Sequence, residues 1–308
     1  MPALDTPQGP GARLIAPPEP VEREDTAAVG AGLDALEAPT AERSSWWRRT
    51  SRSIVPPLLA IGVVFVVWQV LYWLKVKPEV MLPAPSAVWQ EFLRLAEGGQ
   101  AWQAIWTSLS RGLLGFAMAI VIGTVLGLLV ARLKWLRASI GPLLTGLQSL
   151  PSVAWVPMAI LFFQISPAMI YAVVLLGAVP SVANGLVAGI DHVPPIYTRV
   201  GQVLGMGKSA LVRQVLLPAA LPGYLAGLRQ GWAFSWRSLM AAELIVTSTK
   251  LGFGLGQLMQ QGRDLSDAPM LYSGLLLIFF VGVGIELVVF RPLERVILDA
   301  RGLKPYGS

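Results

Sequence analysis

The 308-residue sequence has no cysteine and a single histidine, His192. Without cysteine there is no disulfide, no iron–sulfur cluster and no thiolate zinc site, and one histidine excludes a multi-histidine metal centre. Charge is also scarce. Charged residues make up 14% of the chain and hydrophobic ones 54%, against about 25% charged in soluble domains. Mean hydropathy is +0.61. A soluble chain this apolar could not cover its own surface, so an integral membrane protein is expected. No Walker A motif occurs. Gly252-Phe253-Gly254-Leu255-Gly256 is glycine-rich but lacks a following Lys-Ser/Thr, so a structural role is expected for it and nucleotide hydrolysis is not. The net charge of +6 reads first as membrane orientation rather than affinity for nucleic acid.

What is present divides into a tail and a membrane body. Residues 1–45 hold 8 of the 18 acidic residues and no long apolar run. Such a segment buries too little surface to offset its ordering entropy, so a disordered cytoplasmic tail is expected. It lacks the basic start and apolar stretch of a signal peptide. Residues 46–308 read as the transmembrane domain, with its core over 104–293. A spanning helix needs about 20 apolar residues. Six spans meet this: Ile54–Leu74, Thr107–Ala131, Pro142–Phe163, Ala168–Ile190, Ala219–Val246 and Met270–Phe290. The expected fold is therefore all-α, a polytopic bundle of six transmembrane helices. Pro151 and Pro157 interrupt the third span. Lysine and arginine concentrate on the side holding both termini, which places both termini in the cytoplasm. Trp46, Trp47, Trp73, Trp102, Trp106 and Trp135 fall near span ends, as interface aromatics do. The segment 75–106 is read as external with a short amphipathic helix over Val88–Leu95, and 247–269 as a second external loop. Gly123/Gly127, Gly185/Gly189 and Gly223/Gly227/Gly231 each lie four apart. They predict flat stripes where helix backbones meet.

The cytoplasmic segment 191–218 carries the most information. It is too polar to insert, yet Val200, Val203, Leu204 and then Leu211, Val212, Val215, Leu216 recur at helical spacing. The pattern predicts two short helices separated at Gly205 and Gly207, with Pro218 opening the next span. The spacing of Gly205, Val215, Leu217 and Pro218 resembles the EAA loop of ABC-importer permeases. Further matches to the nitrate/sulfonate/taurine branch spread over most of 80–300: Leu82-Pro83, Ser108 with Arg111, Gly115-Phe116, Pro151, Pro157, Ala219-Ala220-Leu221-Pro222, Gly227-Leu228-Arg229, Ala242-Glu243 and Leu251-Gly252. The resemblance implies a type I, MetI-like permease fold. It also implies two ATPase subunits that bind ATP and magnesium, a second permease subunit by default identical, and an extracytoplasmic solute-binding protein. On this chain it implies no cofactor, no metal and no catalytic residue. The coupling residues it implies are Arg199, Val200, Gly201, Gly205, Met206, Gly207, Val215, Leu217 and Pro218. One departure stands out: the family's acidic residue and two alanines correspond to Arg199, Val200 and Gly201.

Ionisable groups within spans are costly and are usually functional or paired. Arg111, Arg229, Arg237, Glu243 and Glu286 are such groups. Arg229, Trp236 and Glu243 lie seven apart, on one helix stripe. Depth suggests that Arg229 pairs with Glu286, and that Glu243 lies level with Arg111. The candidate substrate pathway comprises Arg111, Gln148, Ser149, Ser152, Asn184, Arg229, Trp236, Arg237 and Glu243, with Ser181 alongside. Either a positive potential for an anion or a set of structural ion pairs fits the charges. His192 reads as a helix-end residue. The expected activity is import of a small anion through the inner membrane of a bacterium, an aliphatic sulfonate first, with nitrate, taurine and bicarbonate as alternatives. An ion-gradient-driven transporter or channel would fit six spans but would leave the elbow loop unexplained. A membrane enzyme is opposed by the lack of clustered catalytic groups.

Overall fold

The computed structural model describes residues 46–246, 248 and 251–299. The expected disordered tail, 1–45, lies outside them. The chain forms two compact units, Met1–Val64 and Phe65–Ser308. The described part of the first is the opening of α1 (Trp46–Trp73), whose apolar stretch is Leu59–Trp73. The rest of the description concerns the second unit, where every regular element among the described residues is helical.

Four helices are long and apolar enough to cross a membrane: α3 (Gln100–Arg132), α6 (Pro167–Asp191), α8 (Lys208–Ile245) and α10 (Ala268–Asp299). The expected third span is not one helix. It is split into α4 (Lys134–Ser149) and α5 (Trp155–Phe163), and the two arms bend by 99° at the break. Leu150 is extended (φ −77°, ψ 132°) ahead of Pro151. A residue before proline is pushed out of the helical region, and proline itself cannot donate to the helix ladder. Counting the bent pair as one span gives five crossings, with Leu59–Trp73 as a shorter apolar helix besides.

Small residues decide how the bundle closes. At Gly185 an added Cβ would lie 2.3 Å from the Cα of Gly227, and at Gly223 one would lie 2.6 Å from the Cα of Gly189. α6 and α8 therefore touch backbone to backbone along the stripes read from the sequence, a contact only glycine allows. α3 lies on another side of α6, where Gly127 faces the backbone of Ala183. Phe116, Trp232, Trp236 and Leu239 fill the space among α3, α6 and α8, with Trp232 stacked on Trp236 at 5.8 Å.

The amphipathic helix expected over Val88–Leu95 forms as α2 (Pro85–Glu97). Val88 and Leu95 are buried, and the Ser273 hydroxyl of α10 donates to the Val88 carbonyl at 3.0 Å. The segment 247–269 is more than a connector. It contains α9 (Leu255–Asp264), which packs on the start of α10 through Gly262 and Gly274.

Candidate functional site

The elbow begins with α7 (Pro195–Val203). Proline at its first position supplies a pre-set φ and lacks only an N–H that would be unpaired anyway. The chain then reverses at Gly205, whose φ of +74° is the left-handed region that glycine enters without a Cβ penalty. The Met206 N–H donates to the Gly201 carbonyl at 3.0 Å and closes the turn. Gly201 is buried because a Cβ there would sit 2.3 Å from Cδ1 of Leu211. This crossing of the two arms explains glycine at a position where the resembled family carries alanine.

The second arm is not a separate short helix. Lys208 opens α8, which runs 38 residues without a break to Ile245. It widens to a π-turn over Val212–Leu216, next to Pro218 and Pro222, which cannot donate to the ladder. Val215, Leu217 and Pro218 are thus the root of the lever rather than its tip. The tip is apolar and exposed: Val203 is 86% and Leu204 74% exposed, with Val200 beside them. Arg199, Lys208 and Arg213 surround this tip, and no acidic residue occurs between 192 and 218. Asp191, just before it, is engaged by Arg137 of α4 through two hydrogen bonds, one of 2.9 Å.

At the opposite end of α8 lies a buried carboxylate. Glu243 is fully buried. It accepts from Arg111 at 3.1 Å, from the Ser108 hydroxyl at 2.6 Å and from the Gly256 N–H at 3.1 Å. Ser108 in turn accepts from the Leu255 N–H at 2.8 Å. The carboxylate therefore holds the N-terminus of α9, where orphan N–H groups and the helix dipole favour an anion. The glycine-rich motif makes room for it: a Cβ on Gly254 or Gly256 would lie 2.5 Å from Glu243 atoms.

A third group of charges lies partway along α8. Arg229 pairs with Glu286 and approaches Glu294 at 3.6 Å. These three line a cavity of about 400 Å³ between α8 and α10. Two carboxylates and one cation leave it without excess positive charge. Arg237 is exposed, lies over the Phe234 ring at 4.6 Å, and has no carboxylate partner among the described residues.

A larger cavity, about 610 Å³, opens between α6 and α8 on the elbow side. Its polar walls include Gln148, Ser181, Asn184, Tyr197 and Gln230, and the glycine stripes of α6 and α8 form part of its floor. His192 borders it, with Nδ1 2.6 Å from the Ala188 carbonyl. Of the nine pathway residues read from the sequence, this cavity gathers Gln148 and Asn184. Ser149 bonds back to Gly146 of its own helix, and Ser152 is half-buried at the break. Trp236 is a core ring, and Arg111 and Glu243 form the buried clamp. Gln230 was not singled out in the sequence. The signal for it is the run Ala226, Gln230, Ala233, Arg237, a stripe of exposed residues at helical spacing on α8.

Residues 119–291 match the family described as the binding-protein-dependent transport system inner membrane component. The chain is 32% identical to the nitrate import permease protein NrtB of Synechocystis sp. over 66% of its own length and 76% of the relative's. It is 27% identical to the taurine transport system permease protein TauC of Escherichia coli K12, over 82% and 92% of the two chains. Among solved structures, a chain of the MetNI methionine ABC transporter in inward-facing conformation superposes with a TM-score of 0.53 at 20% identity, covering 63% of this chain and 94% of that one. At that identity the likeness concerns the fold.

Proposed function

The chain belongs to the family of binding-protein-dependent transport system inner membrane components, and on that premise we propose that it is the membrane subunit through which an ATP-driven importer moves a small oxyanion. It is a multi-pass membrane protein with several apolar helices. In the proposed arrangement the chain crosses the inner membrane of a bacterium six times, with α1 as the first crossing and both termini in the cytoplasm. It works with a second permease subunit, two ATPase subunits and an extracytoplasmic solute-binding protein. ATP and magnesium are bound by the ATPases, and this chain hydrolyses nothing.

The observation that carries the reading is the elbow. An apolar, exposed tip stands on a glycine-pinned reversal and is continuous with a 38-residue helix. Such a tip gains most by docking into a partner, and a continuous helix carries the partner's motion into the bundle as alternating access. The relatives named for nitrate and taurine transport support an oxyanion as the solute. Within that class our first choice is an aliphatic sulfonate, followed by nitrate, taurine and bicarbonate.

The test is co-expression with a candidate ATPase followed by purification through a tag on this chain. An ATPase that remains in a one-to-one ratio, and is lost when residues 199–207 are replaced by a Gly-Ser linker, is the expected result. Solute uptake driven by an ion gradient, without ATP and without a bound ATPase, would overturn the proposal.

A further inference from the structure

We infer that the cavity between α6 and α8 is a transit site that holds a small oxyanion through neutral hydrogen-bond donors, while Arg237, whose Nε donates to the Ala233 carbonyl but which has no carboxylate partner among the described residues, sets the sign of the charge admitted. The inference rests on the importer reading above and adds the chemistry of the path.

Three carboxamides and two hydroxyl side chains line the cavity: Gln148 from α4, Ser181 and Asn184 from α6, Tyr197 from α7 and Gln230 from α8. None of these five side chains has a hydrogen-bond partner among the described residues. Ser181 is the sharpest case, being 1% exposed with its Oγ unpartnered. A buried polar group without a partner is disfavoured, and native folds rarely leave one without a reason. The Ser181 Oγ is closed off from the cavity it adjoins, so a solute reaches it only when the lining shifts, and the donors that face the space as it stands are the three carboxamides and the Tyr197 hydroxyl. Each carboxamide offers two N–H donors and the hydroxyl one more. An oxyanion presents several acceptor oxygens and suits such a ring of donors.

No Lys, Arg, Asp or Glu lines this cavity. The nearest cation in sequence, Arg229, turns round the helix to Glu286 and Glu294 and lines the neighbouring cavity, which meets this one at Pro222, Ala226 and Gln230. Hydrogen bonds from charged donors are roughly twice as strong as neutral ones. A solute in transit must bind well enough to enter and weakly enough to leave. Neutral donors meet both needs; a fixed guanidinium would retain the anion. Arg237 lies on the same exposed stripe as Gln230, seven residues and therefore ~10 Å along the helix. At that distance, and with no carboxylate to neutralise it, it favours anions over cations without gripping them.

The experiment uses the whole importer, with its ATPase and binding protein, reconstituted in liposomes. Uptake of isotopically labelled nitrate, bicarbonate, taurine and ethanesulfonate is measured for wild type, Asn184→Asp, Gln230→Glu, Asn184→Ser and Arg237→Gln. Retention of the ATPase at wild-type stoichiometry identifies the variants that assemble. The two acidic variants are nearly isosteric but place a negative charge in the site, so uptake should fall on the order of 100-fold. Asn184→Ser keeps a donor and should restore most of the rate lost in Asn184→Asp. Arg237→Gln should slow uptake several-fold at low salt and less at high salt. Assembled Asn184→Asp and Gln230→Glu importers that move the solute at wild-type rates would overturn the inference. So would equal losses in Asn184→Ser and Asn184→Asp. If the wild-type importer hydrolyses ATP in response to its binding protein yet moves none of the four solutes, the oxyanion reading itself fails, which is a separate outcome.

Discussion

Replacing Glu243 by alanine tests whether one carboxylate holds α9 on the bundle. The side chain is fully buried and receives three donors, from Arg111, Ser108 and the Gly256 backbone. Truncation leaves Arg111, itself only 16% exposed, without a counter-charge. Breaking a buried pair by removing one partner costs about 3–5 kcal/mol. The orphaned Gly256 N–H and Ser108 hydroxyl add about 1–3 kcal/mol, although contributions within one network do not add fully. The expected local destabilisation is therefore about 4 kcal/mol, close to a thousandfold in an opening equilibrium. Hydrogen exchange read by mass spectrometry over 251–264 is the assay, since it reports local opening separately from global unfolding. The Leu255 and Gly256 amides should lose most of their protection while the centres of α3 and α6 keep theirs. The double variant Arg111→Met with Glu243→Leu removes both charges and should recover most of the loss, because an apolar pair of similar volume avoids the uncompensated charge. Unchanged exchange over 251–264 in Glu243→Ala would refute the clamp. A double variant as damaged as the single one would refute the electrostatic account of it.

Four further substitutions address other parts of the fold. Gly227→Leu should separate α6 from α8, because even a Cβ would lie 2.5 Å from the Cα of Gly185; a loss of at least about 3 kcal/mol, read as a lowered thermal midpoint in detergent, is expected. Gly205→Val forces a branched residue into a φ of +74° and should cost at least about 1 kcal/mol locally, with ATPase co-purification reduced more than the thermal midpoint. Arg229→Gln leaves Glu286 and Glu294 unpaired, but Arg229 is half exposed, so solvent screening holds the expected loss to about 1 kcal/mol; co-purification of the ATPase should be retained. For the elbow itself, a partner complementary to Arg199, Lys208 and Arg213 should dissociate more readily as salt rises, and Arg199→Glu should weaken binding most at low salt.

Helix positions and helix faces were legible because hydrophobic periodicity and glycine spacing are local signals. The α6–α8 contact follows from three glycine pairs, and α2 follows from an amphipathic run after a proline-rich start. The pairing of Arg229 with Glu286 could be read from depth, since Arg229 lies ~15 Å into its span and Glu286 in the inner half of the last one. Two features were not readable, and a third only in part. The 99° break needs the direction the chain takes after Pro151, which tertiary packing sets. The joining of the second elbow arm to its span was hidden by Pro218, which suggests an interruption but here is absorbed by a π-turn. The clamp at Glu243 combines residues more than 130 positions apart. Depth sets Glu243 level with Arg111, and that pair forms at 3.1 Å, but no spacing rule brings the Ser108 hydroxyl or the Gly256 amide of the glycine-rich segment to the same carboxylate. Most of the cavity was legible: Gln148, Ser181 and Asn184 were singled out as polar residues within spans, whereas Gln230 was overshadowed by its charged neighbour and Tyr197 lies in the elbow.

The unbroken length of α8 has a mechanical consequence. At about 1.5 Å per residue, 38 residues make a rod of ~57 Å. One end is the exposed elbow arm, and the other carries Glu243, tied to α9 through the Gly256 amide. A tilt of about 5° pivoting at the elbow displaces the far end of such a rod by ~5 Å, comparable to one helical turn. The π-turn and the two prolines are gathered in the first two-fifths of the rod, so flexure belongs there and the remaining three-fifths swing as one piece. In the proposed importer, gearing of this kind would turn a small rotation at one face of the membrane into a gate-sized stroke at the other, with no relay of rearranging side chains in between.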